Sequence, residues 1–167
     1  MGKPLTADLP YPEVRCGCTN KRYADLLMQD YAGMASELTA VLQYTYDSML
    51  LKESAPDVSE LLEDISFTEM HHMRMLGDLV SDLGGDPRYN GGSCENCKPF
   101  HTCGITYNKT TALILMENIA GERKAIANYT RRIEVIQDEY VCAVLHRIIM
   151  DEETHIAALC QMMEKYC

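Results

Sequence analysis

The 167-residue sequence predicts an all-α protein, a bundle of four helices with one long crossover between the second and the third. Three observations carry that expectation. Apolar residues recur at spacings of three and four through four long runs. A short turn holding Pro56 and Asp57 joins the first run to the second and a short turn at Asp138 joins the third to the fourth, whereas a long aperiodic span separates the second from the third. Glu-x-x-His occurs twice, as Glu69-Met70-His71-His72 and Glu152-Glu153-Thr154-His155, each copy inside a helical run.

Taken in order, residues 1–19 hold Pro4, Pro10, Pro12 and Cys16-x-Cys18, which predicts an extended leader lying on the body of a bundle formed by residues 20–167. The first helix is expected over about 21–52, with Met34, Glu37, Val41 and Tyr44 on one face. A turn at Ser54-Ala55-Pro56-Asp57 leads to a second helix over about 58–83, ended by Gly84-Gly85-Asp86-Pro87. A cysteine-rich crossover follows at 84–108. The third helix spans about 109–137, and Asp138-Glu139 breaks it and starts the fourth, which runs nearly to the end.

A chain of this length fits one domain, and its 47% hydrophobic content is that of a folded protein. The formal charge of −10 argues against nucleic acid or an anionic membrane surface as partner, since both are negative. No apolar stretch approaches membrane-spanning length, and the polar start lacks the apolar core of a signal peptide, so a cytoplasmic protein is expected.

Residues three apart share a helix face, so each Glu-x-x-His copy aims one carboxylate and one imidazole at a common point. Glu69 and His72 lie on a stripe with Leu62, Ile65, Met73 and Leu76, and Glu152 and His155 on one with Leu145, Ile148, Ile149, Ile156 and Leu159. Glu122 interrupts the stripe of Leu115, Asn118, Ile119, Ile126, Tyr129 and Ile133, while Glu117 falls off it. Glu37 interrupts the first. A carboxylate on a core stripe is costly without a partner, and metal binding removes that cost. Buried Glu–His hydrogen-bonded pairs are the alternative. His71, Asp151 and Glu153 are expected to point away. The order Glu, Glu-x-x-His, Glu, Glu-x-x-His reads as two duplicated halves whose half-sites meet at the bundle centre, with room for two ions about 3.5–4 Å apart.

The eight cysteines cluster at Cys16 and Cys18, at Cys94, Cys97 and Cys103, and at Cys142, Cys160 and Cys167. Cys94, Cys97 and Cys103, with His101, have the composition of an additional zinc or iron site; a redox dithiol and plain reduced thiols are the other readings.

From about residue 23 to 164 the chain resembles the rubrerythrin and manganese-catalase branch of the ferritin-like superfamily. Ser36-Glu37-Leu38-Thr39-Ala40 with Tyr44 resembles the first-helix ligand motif of manganese catalases, Thr68-Glu69-Met70-His71-His72-Met73 their second-helix segment, and Gly121-Glu122 their Gly-Glu motif. The resemblance implies a ferritin-like fold and two Mn or two Fe ions per subunit. It makes Glu37 a terminal ligand, Glu69 a bridge and the residue on which catalysis depends, and His72 the imidazole of the first metal, with Glu122 and His155 serving the second. Glu152 would bind metal in the rubrerythrin-like arrangement and stay in the outer sphere in the manganese-catalase one. The implied activity is decomposition of hydrogen peroxide by a homo-oligomer. With no rubredoxin-like domain after the fourth helix, a peroxidase of this kind would draw on an external donor such as a rubredoxin. Iron storage or a spore-associated role, and a dioxygen-using oxidase or oxygenase, are the alternatives. Tyr44 and Tyr129 are placed to hydrogen-bond the ligands or simply to pack.

Overall fold

A computed structural model describes residues 3–90 and 100–166. It contains five α-helical segments and a single 3-10 turn at Thr102–Gly104: α1 (Lys21–Ala32), α2 (Glu37–Leu51), α3 (Pro56–Asp82), α4 (Thr111–Val135) and α5 (Glu139–Tyr166). Among the described residues there is no strand, and no helix is long and apolar enough to cross a membrane.

The first rod of the bundle is two helices, not the single one expected over 21–52. Gly33 ends α1, its N–H bonding Gln29 O, in a backbone so close that a Cβ on residue 33 would stand 2.4 Å from that oxygen. Ser36 then caps α2: its Oγ accepts the Thr39 N–H at 3.3 Å and its hydroxyl donates to Gly33 O at 2.7 Å. The break sets Glu37 in the first turn of α2, where unpaired N–H groups favour a carboxylate. It also removes Met34 from the expected stripe, since Met34 lies in the break and is 69% exposed.

Both α1 and α2 pack along α3, and α4 packs along α5. Pro56 opens α3 at a position where its missing N–H costs nothing. Gly84 closes it with φ +84°, in the left-handed region that glycine enters freely. Asp138 starts α5 as the sequence indicated, its Oδ1 accepting the N–H groups of Tyr140 and Val141, and its Oδ2 also ties down the leader through Gly17 N–H at 2.8 Å.

The core is divided along the bundle axis. One apolar cluster joins α1 to the later part of α3 and the early part of α5, through Leu27, Leu76, Leu79, Leu145 and Ile148. The other joins α2 to the early part of α3 and α4 and to Leu159 near the end of α5, through Leu51, Leu62, Ile65 and Leu115. Along α3 the first cluster begins at Met75 and the second stops at Ile65, and the charged residues occupy the layer between them.

Candidate metal centre

That middle layer receives Glu37 from α2, Glu69 and His72 from α3, Glu122 from α4, and Glu152 and His155 from α5, none more than 3% exposed. The six residues singled out from the sequence come together. They form two overlapping groups, Glu37, Glu69, His72 and Glu152, and Glu69, Glu122, Glu152 and His155; in each, one donor atom per residue lies within 4.8 Å of the others. Both histidines face the centre with Nδ1, and their rings stand 6.2 Å apart between centroids.

Glu69 and Glu152 belong to both groups, and each turns one oxygen to each half. Glu69 Oε2 lies 3.5 Å from His72 Nδ1 and its Oε1 3.1 Å from His155 Nδ1; for Glu152 the corresponding distances are 3.3 Å from Oε1 and 3.1 Å from Oε2. Glu37 faces only His72 Nδ1, at 3.8 Å, and Glu122 only His155 Nδ1, at 3.2 Å. Two tyrosine contacts to these carboxylates cross the bundle: the Tyr129 hydroxyl donates to Glu37 and the Tyr44 hydroxyl to Glu122. Both tyrosines are therefore hydrogen-bonded, and each serves the glutamate on the other's helix.

Burial and mutual repulsion set the charges. Burial and the charge of Glu69 push the Glu37 carboxyl well above the usual range, and burial and the charge of Glu152 do the same to Glu122. Burial also works against the charge of Glu69, yet the adjoining Glu37 carboxyl and the His155 and His72 imidazoles outweigh it and hold that carboxyl well below the ordinary value. Burial opposes both imidazoliums, but their carboxylate partners, led by Asp151 for His72 and Glu122 for His155, raise both well above the ordinary histidine value.

The donor set fits a pair of divalent ions. Four carboxylates and two imidazoles suit Mn or Fe, and four negative charges balance two such ions. Among the described residues Glu69 Oε1, Glu152 Oε1 and His72 Nδ1 are buried and make no hydrogen bond, although all three face the common centre.

A cavity of about 260 Å³ reaches this layer between α2 and α4. Glu37, Glu69, Glu122, Tyr44 and Tyr129 form its floor, and Gly121 and Gly104 are among the residues of its wall. The end of the crossover closes one side, where Thr106 N–H donates to Gln43 Oε1 at 2.8 Å and Thr106 Oγ1 to Glu117 Oε2 at 2.6 Å. At about 30 Å³ per water, the space holds several water-sized molecules.

Glu117, His71 and Glu153 are exposed and outside both groups, as their helical phase indicated. Asp151 points away from the carboxylate centre, as expected, but into the protein rather than to solvent. It is fully buried, accepts from His72 Nε2 at 2.9 Å, from Tyr11 at 2.6 Å and from Ala7 N–H at 2.7 Å, and pairs with Arg147 at 2.5 Å. Its phase turns it off the meeting point of the carboxylates, and that direction is the back of His72. The signal available in the sequence was Arg147, four residues earlier on the same face. Cys94 and Cys97 lie outside the described residues. Cys103 is an exposed free thiol, and among the described residues neither it, His101, Cys16 nor Cys18 joins a group with metal-ligand spacing.

The family model described as a ferritin-like domain matches residues 32–166. A probable manganese catalase from Clostridium acetobutylicum is 25% identical over 171 residues, covering 92% of this chain and 75% of the relative. The crystal structure of a manganese catalase from Anabaena superposes with a TM-score of 0.83 at 22% identity, over 95% of this chain and 78% of that one. A bacterioferritin from Desulfovibrio desulfuricans, whose diiron site was captured in different catalytic states, gives a TM-score of 0.70 at 19% identity, over 86% and 78%.

Proposed function

The chain belongs to the ferritin-like family, and on that footing we propose that it is a dimetal-carboxylate redox enzyme that decomposes hydrogen peroxide. The observation that carries the reading is the pair of overlapping donor groups joined by Glu69 and Glu152. Glu37 and Glu122 would be terminal ligands, His72 and His155 one imidazole for each ion, and Glu69 and Glu152 the shared carboxylates. Two Mn or two Fe ions held there would supply the paired one-electron changes that cleaving a peroxide bond requires. The protein's own part is geometric. Tyr129 and Tyr44 orient the two terminal carboxylates, the apolar clusters above and below exclude bulk water, and the cavity between α2 and α4 admits a molecule of peroxide size. Without an electron donor the reaction is disproportionation; with one, such as a rubredoxin, it is reduction to water.

The placement of Glu152 favours a second reading. An oxygen turned to each half suits a carboxylate that would bind metal directly rather than stay in the outer sphere, and that donor set would also serve an iron oxidase that takes up dioxygen. Oxygen-electrode and peroxide assays on protein loaded with Mn or with Fe separate the two. Peroxide consumption that Glu69→Ala abolishes and Glu117→Gln leaves intact supports the first. Oxidation of ferrous iron with uptake of dioxygen, and no turnover of peroxide with or without a donor, replaces it with the second. A homo-oligomer would cover exposed apolar side chains such as Met49, Leu113 and Met116, and light scattering reads its size.

A further inference from the structure

The leader crosses behind both histidines. Leu5 O accepts from His155 Nε2 and from Thr68 Oγ1, each at 2.9 Å, and the Leu5 N–H reaches Asp64 O at 3.4 Å. Further along, Ala7 N–H and the Tyr11 hydroxyl hold Asp151, while Arg147 donates to Ala7 O and Leu9 O, both at 3.0 Å. The Arg147 guanidinium also stacks over the Tyr11 ring at 4.1 Å.

A carbonyl oxygen can only accept, so His155 Nε2 carries its hydrogen, and Nδ1 is the nitrogen that faces Glu69, Glu122 and Glu152 and would give up its proton to an ion bound there. On the other half the acceptor behind His72 Nε2 is the Asp151 carboxylate. The two repeats are unequal at this point. Asp151 precedes Glu152 and serves the histidine of the other repeat, but the residue preceding Glu69 is Thr68, which gives its hydroxyl to Leu5 O. Main chain from the leader stands where the second carboxylate would be.

We propose that leader residues 5–11 are a positioning element of the metal centre and that they make its halves unequal. The charged acceptor behind His72 makes that imidazole the stronger donor, so the half built on Glu37 and His72 holds its ion more tightly. The half built on Glu122 and His155 has a neutral acceptor and depends on Leu5. This inference rests on the dimetal reading above.

Calorimetric titration of Mn(II) into chelator-stripped protein tests it, with helicity followed by circular dichroism. Wild-type protein is expected to take up two ions with distinguishable affinities. A chain shortened to begin at Ala7 should bind one as before and the other about 10–100-fold more weakly, at unchanged helicity. Thr68→Val, which releases the Leu5 carbonyl, should weaken the same single site several-fold, and Thr68→Ser should restore it. Should the shortened chain fail to fold, the threonine pair decides. Two wild-type affinities in the shortened chain or in Thr68→Val, or equal loss at both sites, overturns the role of the leader. A wild-type protein that takes up no ion removes the dimetal reading itself.

Discussion

Replacing Asp151 by alanine should be among the most damaging single changes outside the six proposed ligands. The carboxylate is fully buried and joins α5 to α3 through His72 and to the leader through Tyr11 and Ala7, and the Arg147 guanidinium against it is only 4% exposed. Removing it strands a buried cation, a change that costs about 3–5 kcal/mol when one partner of a buried pair is lost. Arg147 keeps two carbonyl acceptors in the leader, which places the cost at the lower end. At about 2–4 °C per kcal/mol for a chain of this size, the melting temperature should fall by roughly 6–12 °C for a loss of about 3 kcal/mol. Arg74–Asp78 is the internal control, since its side chains are 77% and 48% exposed and such a pair contributes about 0–1 kcal/mol. Urea and thermal unfolding of both alanine variants by circular dichroism make the comparison. A loss for Asp151→Ala no larger than that for Asp78→Ala would refute the argument.

Gly121→Ala should stabilise the fold by roughly 0.5–1 kcal/mol, read by urea unfolding, because the glycine lies within α4 and an added Cβ meets nothing within 4 Å. A bulkier Gly121→Leu should slow substrate entry without lowering metal content, since the residue lines the cavity but is no donor. Asp57 is held down to about 2 by hydrogen bonds from Lys165 and Tyr166. A depressed acid stabilises the folded state above its unfolded value near about 4 and loses that contribution as pH falls through about 2, so Asp57→Asn should flatten the loss of stability across that window. Metal uptake should release protons, because Glu37, Glu122, His72 and His155 all hold theirs more tightly than usual. Affinity should therefore rise with pH, and titrations in buffers of different ionisation enthalpy count the protons.

The bundle, its crossover and the six residues of the middle layer were legible because a charged side chain on an apolar stripe has few explanations, and four stripes carried one or two each. The break at Gly33–Ser36 was missed although both of its signals were present. A periodic run continued across it, and apolar period outweighed a glycine and a capping serine only three residues apart. Asp151 was missed for a different reason. Helical phase gives the direction of a side chain from its own axis, not what a neighbouring helix puts there, so it turns Asp151 off the carboxylates without showing that the side chain meets His72. Leu5 had no signal at all, since its contribution is a backbone carbonyl that any residue supplies.

The middle layer is expected to hold two metal ions. Elemental analysis of the purified, folded protein, with His72→Ala and His71→Ala prepared alongside, tests that expectation most directly. Close to two Mn or Fe ions per wild-type chain are expected, with fewer in His72→Ala and no change in His71→Ala, whose ring packs on Tyr11 outside both donor groups. No metal in a well-folded wild-type protein, or equal loss in the two variants, would contradict it.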